Sequence, residues 1–143
     1  MTTWAIGHTD RFAAALSERA VNNWETLEAT SDIGAYFTGI YTGATNLTDV
    51  AEQRRQSPIT YAARIGTPTL ILHAEEDWRC PTEQAEQLFA ALRRRGVPVE
   101  MVRFPGENHE LTRSGRPSLR VERLHIVHEW WSRWLGSTAF PGP

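Results

Sequence analysis

An α/β fold, with a mostly parallel sheet flanked by helices, is the class this sequence predicts, on three observations. Thr69-Leu70-Ile71-Leu72-His73 is a continuous apolar run entered through Pro68 and left through charges. Such a run marks a strand buried on both faces, as in parallel sheets covered by helices, whereas a half-solvated strand would alternate. Ala85, Leu88, Phe89 and Leu92 then fall at i, i+3, i+4 and i+7 on one helical face. Residues 97–104 return as a second strand, which completes a βαβ unit with a right-handed crossover.

The elements follow in order along the chain. Residues 12–21 contain a short apolar run that reads as a strand entering Glu18-Arg19-Ala20-Val21. Ile33, Tyr36, Phe37, Ile40 and Tyr41 repeat at helical spacing behind Ser31-Asp32, a capping pair, and Gly43 breaks the pattern. Residues 42–58 are polar and carry no assignment. After the central strand, Pro81 suits a first helical position, and Arg93, Arg94 and Arg95 sit at the negative end of the helix dipole as a solvated terminus. Gly96 can supply a left-handed turn. Pro98 and partial alternation place the next strand near a sheet edge. Residues 105–118 are rich in Pro, Gly, Asn and Ser and read as a long loop, a length that usually signals function. A last helix starts near Ser118, with Val121, Leu124, Val127, Trp131, Trp134 and Leu135 on one face and Gly136 as its stop. Residues 137–143 read as a tail.

Composition narrows the function classes. The 143 residues carry 15 Lys+Arg against 17 Asp+Glu, a formal net charge of −2. That balance offers no basic face for nucleic acid or an anionic membrane. No apolar stretch reaches a membrane span, and the N-terminus has no basic start followed by an apolar run. A single cysteine, Cys80, permits no internal disulfide and no cysteine-based metal site, in keeping with a reducing, cytoplasmic setting. His125 and His128 lie three apart on a helix, but without an H-E-x-x-H pattern or a third ligand they read as surface histidines. No metal and no cofactor is expected.

Two residues stand out by position. Asp77 lies just beyond the C-terminal end of the buried strand, and His109 lies in the long loop beyond the next one. At that edge of an open α/β sheet the βα loops converge, so the two side chains can meet. An Asp accepting the Nδ1 proton of a His fixes its tautomer and leaves Nε2 as a general base. Position alone equally allows a common acid after a strand and a solvated loop histidine.

The surrounding residues resemble a known family. His73-Ala74-Glu75-Glu76-Asp77-Trp78-Arg79-Cys80-Pro81, Glu83-Gln84-Ala85, Gly96-Val97-Pro98-Val99-Glu100 and Pro105-Gly106-Glu107-Asn108-His109-Glu110-Leu111 are similar to the prolyl oligopeptidase family of serine peptidases, in its acylaminoacyl-peptidase branch. The D-x-R-x-P and P-G-x-x-H settings, 32 residues apart, are the most specific parts, and similarity runs from about Thr3 to Leu135. The resemblance implies an α/β-hydrolase fold with triad order Ser, Asp, His. It makes Asp77 the triad acid and His109 the general base. It makes Arg79 the residue that holds a substrate backbone carbonyl; the alternative is a surface arginine paired with Glu75 or Glu76.

One part of the family pattern is missing. Met1-Thr2-Thr3-Trp4 resembles the helix that follows the nucleophile elbow, yet none of Ser17, Ser31, Ser57, Ser114, Ser118, Ser132 and Ser137 sits in a Gly-x-Ser-x-Gly turn. Cys80 precedes a helix start, where thiol pKa values fall, but the resemblance places it beside a serine-based triad, so it reads as packing. The expectation is therefore a partial α/β-hydrolase fold lacking the early strands and the elbow. Residues 1–136 would be the C-terminal part of a catalytic domain acting on peptide or acyl-peptide substrates, present as a fragment. The competing expectation is a non-catalytic module that self-associates or pairs with a chain carrying the serine. Absent early strands would leave an unpaired sheet edge, which predicts a homo-oligomer.

Overall fold

The computed structural model describes residues 1–136; the predicted tail lies outside the described residues. Three parallel strands, β1 (Ala15–Glu18), β2 (Thr69–Ala74) and β3 (Val99–Phe104), form a sheet in the order β1-β2-β3. The helices are α1 (Thr2–Ile6), α2 (Trp24–Thr30), α3 (Gly34–Thr42), α4 (Val50–Gln56), α5 (Glu83–Arg94), α6 (Leu111–Ser114) and α7 (Pro117–Leu135), with a 3-10 helix over Pro58–Arg64.

Every residue of β2 is buried, as its unbroken apolar run requires of a central strand. Its side chains alternate between two cores. Ile71 joins Ile6, Ile65, Leu88, Leu92 and Val99 on one face. Leu70 and Leu72 join Phe104, Leu111 and Trp130 on the other. The sheet is thus covered by α1, the 3-10 helix and α5 on one side and by α7 on the other. Burying each of these aliphatic side chains contributes about 1.5–3 kcal/mol, which makes β2 the anchor for the loop that follows it.

Helix α5 begins at Glu83, two residues later than the proline suggested, because Gln84 N–H donates to Pro81 O in a preceding turn (2.9 Å). Its end matches expectation: Gly96 has φ +71°, and Val97 N–H donates back to Leu92 O at 3.1 Å.

Three expectations need correction. The apolar stripe of α3 does not face the core. Tyr36, Ile40 and Tyr41 are exposed while Gly34, Thr38 and Thr42 are buried. Small residues allow the close approach to α2, and a Cβ on Gly34 would stand 2.2 Å from Leu27 O. On α7, Val121, Leu124 and Leu135 are exposed; Trp130 is buried instead, with Leu119, Ile126, Val127, Trp131 and Trp134 packed around it. The stretch read as one long loop contains α6, whose Leu111 is buried in the core. Two short helices fell in or beside unassigned sequence, α2 and α4, each started by a side-chain cap, from Asn23 and Asp49.

Candidate active site

The loops after β2 and β3 are sewn together by their own main chains. Glu75 N–H donates to Phe104 O at 3.1 Å and Glu76 N–H to Glu107 O at 2.8 Å. Pro105-Gly106 turns the chain after β3, with Gly106 at φ +67°, a conformation open to glycine at little cost. Arg116 supports this loop from the start of α7 by donating from Nε to Glu107 Oε1 at 2.7 Å, which holds the Glu107 carboxyl below its ordinary range.

Asp77 and His109 meet there. His109 Nδ1–H donates to Asp77 Oδ2 at 2.8 Å. The Asp77 side chain is fully buried, and its Oδ1 accepts Arg79 N–H at 3.0 Å and Cys80 N–H at 2.8 Å. With three donors around it, the carboxylate has one orientation. His109 is about a quarter exposed, and among the described residues its Nε2 makes no hydrogen bond. That geometry leaves Nε2 as the proton acceptor.

Arg79 does not pair with Glu75 or Glu76. Its Nε and Nη2 donate to the two carboxylate oxygens of Asp32, at 2.9 and 3.3 Å, and this contact lowers the Asp32 pKa. Ser31 Oγ also donates to Arg79 O, and Asp32 N–H to Trp78 O. The Ser31-Asp32 pair, read as a helix cap, thus mainly straps the Arg79 turn.

Cys80 is buried, and that burial, with the negative charge of Asp77, pushes its thiol up to about 12. It stays protonated at neutral pH, which suits packing. His125 and His128 are exposed, and no group of three metal-ligating side chains occurs among the described residues. None of the described helices is long and apolar enough to cross a membrane.

Sequence reasoning missed His73, which is buried on β2 beneath the pair. Its Nε2–H donates to Cys80 O at 2.7 Å, and Nε2 lies 3.7 Å from Asp77 Oδ2. Burial lowers its pKa, against the raising influence of the Cys80 carbonyl and Asp77 and in step with nearby His109. The folded state therefore refuses a proton that the unfolded state accepts. Stability is complete above the ordinary histidine value and falls as pH drops below it, by at most about 1.4 kcal/mol per pH unit, until the depressed folded-state value is passed. Urea melts across that window should show the slope in the parent chain and a flatter one in His73→Gln. Equal slopes would assign the proton uptake elsewhere.

Beside the site an open cleft of about 790 Å³ is lined by Trp4, Trp24, Phe37 and Tyr41, with Arg19 at the edge shared with the His109 loop. Arg19 had no local sequence signal, since its partner lies 90 residues away.

The chain is similar to known proteins over nearly its whole length. Residues 1–138 match the model of the prolyl oligopeptidase family. The uncharacterized peptidase YuxL of Bacillus subtilis (strain 168) is 44% identical over 135 residues, covering 94% of this chain and 20% of the relative. The acylamino-acid-releasing enzyme of Arabidopsis thaliana is 30% identical over 142 residues, 94% of this chain and 18% of that protein. The Pyrococcus horikoshii acylaminoacyl peptidase superposes with a TM-score of 0.90 at 31% identity, over 99% of this chain and 23% of that one. The chain spans about a fifth of the length of these curated relatives. With its parallel sheet, its loop architecture and a match running through all the described residues, the chain belongs to the prolyl oligopeptidase family.

Proposed function

We propose that this chain supplies the acid and the base of a serine peptidase site that hydrolyses peptide or acyl-amide bonds, with the nucleophilic serine contributed from outside these 143 residues. The observation that carries this reading is the 2.8 Å bond from His109 Nδ1–H to a buried, triply held Asp77. In the reaction the serine Oγ attacks the substrate carbonyl while His109 Nε2 takes its proton. The tetrahedral intermediate expels the amine as His109 returns that proton to nitrogen, and water then repeats the cycle on the acyl-serine. Asp77 holds the ring and stabilises the imidazolium. Arg79 engages Asp32 through Nε and Nη2, so Nη1 remains to donate to a substrate carbonyl. The aromatic lining of the neighbouring cleft supports a substrate with an apolar side chain.

A fluorophosphonate probe tests the reading. The chain alone should remain unlabelled. A chimaera carrying ahead of Met1 the stretch of the Bacillus subtilis relative that precedes its matching region should label at a serine of that stretch and cleave an acyl-peptide substrate. Labelling of any serine in the chain alone would contradict the reading, as would a folded, unreactive chimaera.

A second reading, a non-catalytic module that self-associates or pairs with a serine-bearing chain, is favoured by one observation. The outer edge of β1 pairs with no strand among the described residues. A cleft of about 490 Å³ beside it is lined by Phe12, Leu16 and Trp131 among others, and Phe12 is half exposed. An unpaired apolar edge is a template for association. Light scattering at micromolar concentration should give a dimer or larger; a stable monomer would exclude self-association.

A further inference from the structure

We infer that Arg19 is a positioning residue for the general base, an inference that rests on the reading of His109 as that base. Arg19 follows the last residue of β1 and is the one non-glycine residue with positive φ, +50°, among those described. Its N–H still donates to Leu72 O at 3.3 Å, so it stays in register with β2 while its backbone enters the left-handed region. A residue with a Cβ is disfavoured there and glycine is not, so the arginine side chain stands at a position whose backbone opposes it. Strain of that kind collects where a side chain has a task.

The task is visible in the contacts. Arg19 Nη1–H donates to His109 O at 2.7 Å. Among the described residues no main-chain amide reaches that oxygen: Leu111 N–H goes to Asn108 O, and the amides of Arg113 and Ser114 go to Glu110 O. The guanidinium therefore supplies what the backbone of the loop does not, through a charge-assisted bond. The other end of the lever is fixed. Glu18, next to Arg19, accepts two hydrogen bonds from Arg123 of α7 at 2.6 and 2.5 Å, with both side chains less than a fifth exposed. The bond from His109 Nδ1 to Asp77 sets the tilt of the ring; the bond from Arg19 sets where the backbone carrying the ring stands, and so where Nε2 points.

Arg19→Gly separates this role from a structural one, because it removes the donor and relieves the backbone together. The variant should keep its melting temperature within about 2 °C of the parent. The downfield Nδ1–H signal of His109 should broaden away, and the amide of Leu111 should exchange about tenfold faster. Arg19→Lys, which keeps a charged donor, should restore both readouts in part. Parent-like signal and exchange in Arg19→Gly would overturn the inference. So would a uniform acceleration of exchange along β1 with a large fall in melting temperature, which marks a structural residue, or a loss in Arg19→Lys as complete as in Arg19→Gly. A parent chain without the Nδ1–H signal would count against the catalytic reading, and the Leu111 exchange rate would still decide the role of Arg19.

Discussion

Asp77→Asn is expected to lower kcat on the order of 10⁴-fold in a catalytic domain completed with a nucleophile segment, while leaving the fold in place. The asparagine oxygen can still accept the amides of Arg79 and Cys80, which the aspartate holds at 3.0 and 2.8 Å. The atom facing His109 Nδ1 becomes an NH₂ donor. Two donors cannot share one bond, so the ring turns over its tautomer: Nδ1 accepts, Nε2 carries the proton, and the base has nothing with which to take one from serine. The loss should appear in kcat far more than in KM, because substrate contacts such as that assigned to Arg79 are untouched. Circular dichroism should show a retained domain, somewhat less stable for the loss of charged hydrogen bonds to a buried group. A folded variant with less than a tenfold fall in kcat would remove Asp77 from the role of triad acid.

The parts of this site legible in the sequence share a physical cause. β2 declares itself because a strand buried on both faces must be apolar throughout, and α5 because one of its faces meets that strand's sheet. Asp77 and His109 follow because the ends of parallel strands bring their loops to one edge. The illegible parts are those that local pattern does not determine. Tyr36, Ile40 and Tyr41 have the spacing of a buried stripe, yet α3 turns Gly34, Thr38 and Thr42 inward, since close backbone approach outweighed apolar area at that contact. His73 stands inside the motif but shows its work only when Cys80 O lies 2.7 Å away. Arg19 and Asp32 act on residues remote in sequence, 90 and 47 positions off, and a charged residue after a strand or before a helix looks like solvated surface until its partner is seen.

Gly34→Ala should destabilise the domain by about 3 kcal/mol, the upper end for overpacking at a well-packed contact. A Cβ there would lie 2.2 Å from Leu27 O and 2.6 Å from Glu28 O. Both are main-chain atoms of α2, so no flexible side chain can move aside. Relief requires α3 to withdraw from α2, which opens the packing around the buried Thr38 and pulls on the turn before the helix. That turn contains Asp32, two residues upstream, whose carboxylate holds the Arg79 guanidinium. The substitution should therefore act at two distances. Thermal melts should show a fall of about 10 °C, and in a completed catalytic domain KM should rise as Arg79 loses its orienting partner, with kcat less affected because the bond between Asp77 and His109 belongs to other loops. Asp32→Asn provides the control: it weakens the hold on Arg79 without touching the helix contact, so it should raise KM with little change in melting temperature. A Gly34→Ala variant melting within 2 °C of the parent would mean that α3 is not pressed against α2 as closely as its small-residue face implies.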